Sequence, residues 1–306
     1  MGAPHDVTSG FETAGGLARA AERVRDLAAL TRPRVLALVL FTAPPAFFLG
    51  RAGWPDPRVA LAALAGTALV AGGASALNAW VERDVDARMA RTRGRPLPSG
   101  RLAPGEALGF GLGVSALGLV ALWAAGGWLP VLIGALTLVH YVLVYTVWLK
   151  PRSAQNIVVG GAAGAAAPLI ADAALGGIGV WSVVLFALVF LWTPPHFWAI
   201  ALYRKEDYAA AGLPMLPAVV GDQGTRRRML AYALGLIPVS LLPCLGGELG
   251  PAYAAVAAAA GIWFAARIVR SLRARTRRED RQVLFASIVY LTAVFSAMLV
   301  ELVLTR

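Results

Sequence analysis

Long apolar runs recur along the whole chain, and only charged or Gly/Pro-rich segments interrupt them; no other feature limits its fold so strongly. A helix needs about 20 apolar residues to cross a bilayer. Runs long enough for this fall at roughly 35–50, 58–80, 105–124, 129–148, 156–173, 179–202, 229–246, 251–268 and 283–303. With 58% apolar and only 15% charged residues in 306, a soluble domain is excluded. The expected fold is all-α: a polytopic membrane protein built as a nine-transmembrane-helix bundle. Residues 31–306 form that domain. Residues 1–30 are expected to be a loose, flexible cytoplasmic tail with a short amphipathic stretch from Gly16 to Leu30.

Charge placement supports nine spans. If the N-terminus is cytoplasmic and the C-terminus outside, 25 of the 28 lysines and arginines fall on inner segments, leaving only Arg51, Arg58 and Arg306 elsewhere. One span more or fewer scrambles this division. The net charge of +11 is thus mainly a topology signal, with attraction to anionic membrane lipid as a second effect. It does not indicate nucleic acid, because no soluble basic module with interleaved aromatics accompanies it. The single Cys244 excludes a disulfide framework and a cysteine metal site.

Two inner segments mix acids with bases. In NAWVERDVDARMARTRGRPLPSG, Asn78, Glu82 and Asp86 are spaced four apart and can share one helix face, and Arg91 and Arg95 follow closely. Asp84 falls on the opposite side, with Arg88 as its expected partner. Carboxylates this close repel, a divalent cation would relieve the repulsion, and the arginines could take the phosphates it bridges. A solvated juxtamembrane charge cluster is the plain alternative.

The second segment, LWTPPHFWAIALYRKEDY, spaces His196, Ile200, Tyr203 and Asp207 at four, three and four residues, which returns a helix nearly to one azimuth. Pro194-Pro195 is expected to bend the helix just before His196, and an intramembrane histidine there is a candidate site residue. Lys150 and Arg152 lie at the same inner surface and could neutralise a diphosphate leaving group. Gly109/Gly113 and Gly160/Gly164 are small-xxx-small pairs suited to close helix approach. His140 reads as a packing histidine.

Three blocks, the Asn/acid ladder with MARTRGRPLPSG, YTVWLKPRSAQNIVVGGAAGA and LWTPPHFWAIALYRKEDYAAAGLPMLP, resemble the UbiA superfamily of intramembrane prenyltransferases, and within it the protoheme IX farnesyltransferase branch. The resemblance runs from about Thr31 to the last span. It implies transfer of a farnesyl group from farnesyl diphosphate to a vinyl group of heme b, with hydration, giving heme o and diphosphate. It also implies Mg2+ held by Glu82, Asp86 and Asp207, and a diphosphate bound by Arg91, Arg95, Lys150, Arg152 and Lys205. Asn78 belongs to the first family motif, and His196 or Tyr203 would orient heme or handle the added water. A bacterial inner membrane is the expected location, and a downstream heme-modifying oxygenase or terminal oxidase assembly the expected partner.

Two other readings remain open at this stage. One is an enzyme of the same fold acting on an aromatic quinone precursor. The other is a non-catalytic heme or lipid carrier or transporter, which an odd span count and two unequal acidic segments fit poorly.

Overall fold

The computed structural model describes residues 8–305, and side chains from residue 19. Those residues are helical throughout, joined by turns and short loops: α1 (Thr8–Leu30), α2 (Pro33–Phe41), α3 (Pro57–Val81), α4 (Arg83–Ala87), α5 (Pro104–Gly126), α6 (Trp128–Val139), α7 (Asn156–Ala165), α8 (Ala167–Ala174), α9 (Val180–Tyr203), α10 (Lys205–Ala210), α11 (Leu216–Leu245), α12 (Pro251–Ala274) and α13 (Arg277–Leu304). Eight segments are long and apolar enough to cross a membrane. The bent pair Arg19–Leu30 and Pro33–Phe47 brings the count to nine if it is taken as one span.

The departures from regularity have local causes. The expected first span at 35–50 is not one helix: α2 ends at Phe41 and a 3₁₀ turn, Pro44–Phe47, follows. Pro44 and Pro45 supply no backbone N–H to continue the helical hydrogen-bond ladder. Of the expected tail, residues 1–7 lie outside the described residues and Thr8–Leu30 is a helix. Two ion pairs connect that helix to the start of α5 and the turn just before it, Arg23 with Glu106 and Arg101 with Asp26 at 2.9 Å. The fourth span changes to π-helix over His140–Leu149, and the fifth is divided at Ala166, ahead of Pro168. In α9 the helix continues through Pro194 and Pro195 rather than ending there; both prolines are buried. The seventh span starts earlier than expected, at Leu216, and Gly221 at φ 73° kinks it.

Between helices in lipid there is little hydrophobic driving force, so close packing must come from small residues. The seam between α3 and α5 shows this. A β-carbon on Gly73 would stand 2.8 Å from the carbonyl oxygen of Gly111, and one on Gly118 would stand 2.7 Å from the backbone nitrogen of Val70. The expected pair Gly109/Gly113 is not at this contact. Both face open space, because residues two apart on a helix point to nearly opposite sides and the seam runs through Gly111, Ser115 and Gly118. Gly160 does meet a neighbour, the ring of Tyr145, whereas Gly164 has open space. Gly73→Val should therefore destabilise the protein by about 1–3 kcal/mol. Gly109→Val should stay within about 0.5 kcal/mol of wild type. Thermal unfolding in detergent checks the pair of variants.

Polar contacts sort the connections to two ends of the bundle. At one end Asp172 accepts from Arg51 at 2.6 Å and from the Gly179 N–H at 2.7 Å, just ahead of α9. Glu248 accepts from the Gly50 N–H and the Trp181 indole. Glu301, near the end of α13, accepts from the Gly250 and Tyr253 N–H groups and so caps α12 from another helix. Apolar-segment acids are thus satisfied by helix N-termini, whose first N–H groups lack intrahelical partners. At the other end Arg226 on α11 donates twice to Asp280 on α13, at 2.9 and 2.7 Å, and Ser271 on α12 donates to the same carboxylate at 2.7 Å. The acid-rich segments lie at this second end.

Candidate active site

The first acidic segment begins where α3 stops. Val81 ends the helix and Glu82 leaves helical geometry at φ −88°, ψ 4°. Two backbone bonds carry the ladder across the break: the Glu82 N–H to the Asn78 carbonyl at 2.9 Å, and the Asp86 N–H to the Glu82 carbonyl at 2.7 Å. Asn78, Glu82 and Asp86 are all buried. The chain then turns back on itself. Thr92 donates its hydroxyl proton to the Asp86 carbonyl, Leu97 packs inward, and Arg95 reaches the Asp86 carboxylate at 2.7 Å.

Asn78 and Glu82 are held by partners from other segments. Asn78 donates to Thr146 in the π-helix at 2.9 Å, and its amide oxygen accepts from Arg32 at 2.8 Å. Lys150 pairs with Glu82 and lies 5.6 Å from the centre of the Tyr145 ring. Burial pulls the Lys150 ammonium down, but Tyr145 and Glu82 outweigh it and hold the group above the usual lysine range. The stability from this pair is therefore complete below lysine's ordinary pKa and is lost only as pH rises through the higher folded value. Burial and the neighbouring Arg32 lower Arg95, with Asp86 opposing them; a guanidinium stays charged regardless.

Arg32 was not legible as a site residue. In the sequence it counts among the basic residues ahead of the first apolar run. The structure places it at φ 52°, a left-handed conformation unusual outside glycine, beside Asn78 and within the fields of Glu82, Asp86, Tyr141 and Tyr145. The only signal was its place immediately before Pro33, which bars the preceding residue from ordinary helix.

The second segment approaches from α9 and α10. Arg204 breaks the helix at φ −114°, and Asp207 follows on α10. One Asp207 oxygen, Oδ2, is buried with no hydrogen-bond partner; its nearest cation is Arg204 at 3.6 Å. Tyr203, Arg204, Glu206, Asp207 and Arg277 line a cavity of about 170 Å³. Arg277 pairs with Glu206 and holds its carboxyl below the usual range. His196 is deeper in α9, buried, with Nδ1 2.7 Å from the Ser287 hydroxyl and its ring stacked on Trp192.

Several expected site residues lie elsewhere. Lys205 turns to Asp222 at 3.0 Å, and Arg152 donates to the Val147 and Trp148 carbonyls at the end of the π-helix. Arg91 is exposed. Arg88 reaches the backbone oxygen of Asp84, not its carboxylate, which instead lies 3.8 Å from Arg83. His140 meets the Val159 carbonyl at 2.9 Å, a packing role. Among the described residues no three acids, histidines or cysteines come together to hold an ion. Glu82, Asp86 and Asp207 are accordingly not a preformed cage, because Lys150, Arg95 and Arg204 each draw one of them aside. Their chemistry still suits Mg2+, which binds through one or two carboxylates together with substrate phosphate and water. Asp207 Oδ2, buried without a hydrogen bond and facing only Arg204 at 3.6 Å, is a hard ligand of that kind.

A membrane-embedded helical bundle with buried acids and bases gathered at one end has the architecture of an intramembrane transferase acting on an anionic lipid. The UbiA prenyltransferase family model matches residues 39–291, and the chain belongs to that family. It is 49% identical over 290 residues to protoheme IX farnesyltransferase 1 of Mesorhizobium japonicum, covering 92% of this chain and 91% of the relative. It is 43% identical over 306 residues to protoheme IX farnesyltransferase of Methylorubrum extorquens, covering 98% and 94%. Among solved structures, digeranylgeranylglyceryl phosphate synthase superposes with a TM-score of 0.77 at 18% identity, over 92% of this chain and 99% of that one. A UbiA homolog from Archaeoglobus fulgidus bound to DMAPP and Mg2+ gives 0.63 at 18% identity, over 90% and 99%.

Proposed function

We propose that this protein transfers a farnesyl group from farnesyl diphosphate to a vinyl group of heme b, with hydration, releasing heme o and diphosphate. The acceptor and the prenyl chain rest on the relatives, which are named for this activity over nearly the full length of the chain. The observation that carries the donor half is the cluster in which Lys150 pairs with Glu82, Arg95 pairs with Asp86, and Arg32 stands beside them on Asn78.

In that cluster the cations are preplaced for an anion and are occupied by carboxylates until one arrives. A diphosphate would draw Lys150, Arg95 and Arg32 onto its oxygens. Glu82, Asp86 and Asp207 would then be free to hold Mg2+. When bound, Mg2+ supplies Lewis-acid neutralisation of the leaving group. The residues' own part is to stabilise charge as the bond from farnesyl C1 to oxygen breaks. Asn78, fixed between Thr146 and Arg32, holds the guanidinium in place. Tyr141 and Tyr145, with ring centres 5.4 Å apart, offer π faces to an allylic cation and help keep water from it. Attack by the vinyl group moves the positive charge to the porphyrin side chain; water then adds its oxygen there and releases a proton. Charge placement supports an N-terminus on the cytoplasmic side, and a bacterial inner membrane is the proposed location. The product would serve a downstream heme-modifying enzyme or terminal oxidase.

Purified protein in lipid, supplied with heme b, farnesyl diphosphate and Mg2+, should yield a species with the mass of farnesylated, hydrated heme, and EDTA should abolish it. Transfer to an aromatic quinone precursor with none to heme would replace the acceptor assignment. Lys150→Ala should cost only about tenfold in rate, near 1.4 kcal/mol, because Arg32 and Arg95 share the anion.

A further inference from the structure

His196 and Ser287 define one protonation state between them. The Ser287 hydroxyl has a single proton, and its oxygen lies 2.6 Å from the Leu284 carbonyl, which can only accept. The proton is committed there. At 2.7 Å the Ser287 oxygen must therefore accept from His196 Nδ1–H. In the neutral imidazole this leaves a bare lone pair on Nε2.

The ring cannot turn away from this arrangement. Trp192 stacks on its face with centroids 4.3 Å apart, Phe197 meets it edge-on at 5.2 Å, and the Trp192 indole is itself anchored on the Ser287 carbonyl at 2.7 Å. Nε2 has no hydrogen-bond partner and is not among the buried polar atoms left orphaned, so it keeps accessible surface.

An imidazole that donates one N–H to a fixed acceptor and presents the other nitrogen is the usual form of a metal ligand, its tautomer and orientation set by the partner. No second histidine, cysteine or acid completes a site among the described residues, so a free cation would not be held here. A metalloporphyrin is different: it brings four equatorial nitrogens and needs one more. His196 also precedes Tyr203 by seven residues, about 10 Å along the helix, which sets it apart from the acidic end by roughly the width of a porphyrin ring. We propose that His196 Nε2 is the axial ligand to the iron of the heme substrate, and that Ser287 is the positioning residue that fixes its tautomer. The inference rests on heme being the acceptor.

The test is a titration of ferric protoheme, and separately of metal-free protoporphyrin IX, into the full-length protein in lipid nanodiscs, read by absorption spectra. Wild type should show an imidazole-ligated iron spectrum. His196→Ala should lose it and bind heme about 10–100-fold more weakly while holding the metal-free porphyrin unchanged. Added imidazole should restore the spectrum in His196→Gly. Ser287→Ala should shift the iron bands and weaken heme binding, again leaving the metal-free porphyrin unaffected, with an unchanged unfolding midpoint. An unaltered iron spectrum in His196→Ala, or equal losses for both porphyrins, would overturn the proposal and make His196 a base or a packing residue. Wild type that makes heme o but shows no histidine ligation would defeat this inference alone. Wild type that neither binds heme nor forms product would defeat the acceptor assignment beneath it.

Discussion

Asp86→Ala should lower the rate of farnesyl transfer by about a hundredfold to a thousandfold, and Asp207→Ala should lower it to a similar degree. The two acids approach from opposite segments, one beside Arg95 and the other with a buried unpartnered oxygen, so neither can substitute for the other. Single-turnover rates with heme b and saturating farnesyl diphosphate are the measurement, since they separate ionisation from product release. Asp86 also anchors the loop through Arg95, and Asp86→Asn distinguishes the two roles. Asparagine keeps an acceptor for the guanidinium but removes the charge, so it should fold like wild type and remain as slow as the alanine variant. Near-normal transfer by both alanine variants would sink the proposed site.

The largest expected effect on stability lies away from that site. Asp280→Ala should destabilise the protein by about 3–5 kcal/mol, because it leaves Arg226 buried and charged without its carboxylate. Side-chain exposures of 4% and 2% place this pair among those for which an uncompensated charge is costly. An exposed pair such as Arg83 with Asp84 should contribute about 0–1 kcal/mol. Ser271 would lose its acceptor as well, so α11, α12 and α13 would come apart at the inner end. Replacing both partners with apolar residues, Arg226→Met with Asp280→Leu, should recover much of the loss. Thermal unfolding in one detergent, single variants beside the double, reads all three; a single-variant loss below about 1 kcal/mol would show that water reaches the pair.

The helix-rich fold and the site's end of the bundle were legible because both signals are local. Hydropathy marks a span wherever it occurs, and basic residues mark the inner ends one segment at a time. The spacing of Asn78, Glu82 and Asp86 also survives the helix break, since backbone bonds bridge Glu82 on both sides. What could not be read was partner choice. Nothing near Lys150 in sequence says that it pairs with Glu82 while Arg152 turns to backbone carbonyls. Arg32 looked like one more inner charge because its role depends on Asn78, which packing brings to it. The glycine seam was misread for a related reason. Spacing finds small-xxx-small pairs, but only the facing helix selects Gly111 and Gly118 over Gly109 and Gly113.

Glu301 has a consequence for how the protein is made. Its carboxylate satisfies the exposed amides that open α12, and Asp280 on the same helix neutralises Arg226 of α11. Both acceptors sit on α13, which follows α11 and α12 in the chain. Until α13 is inserted, the two preceding helices present an unsatisfied helix start and a lone guanidinium. α13 thus works as a latch that closes both at once.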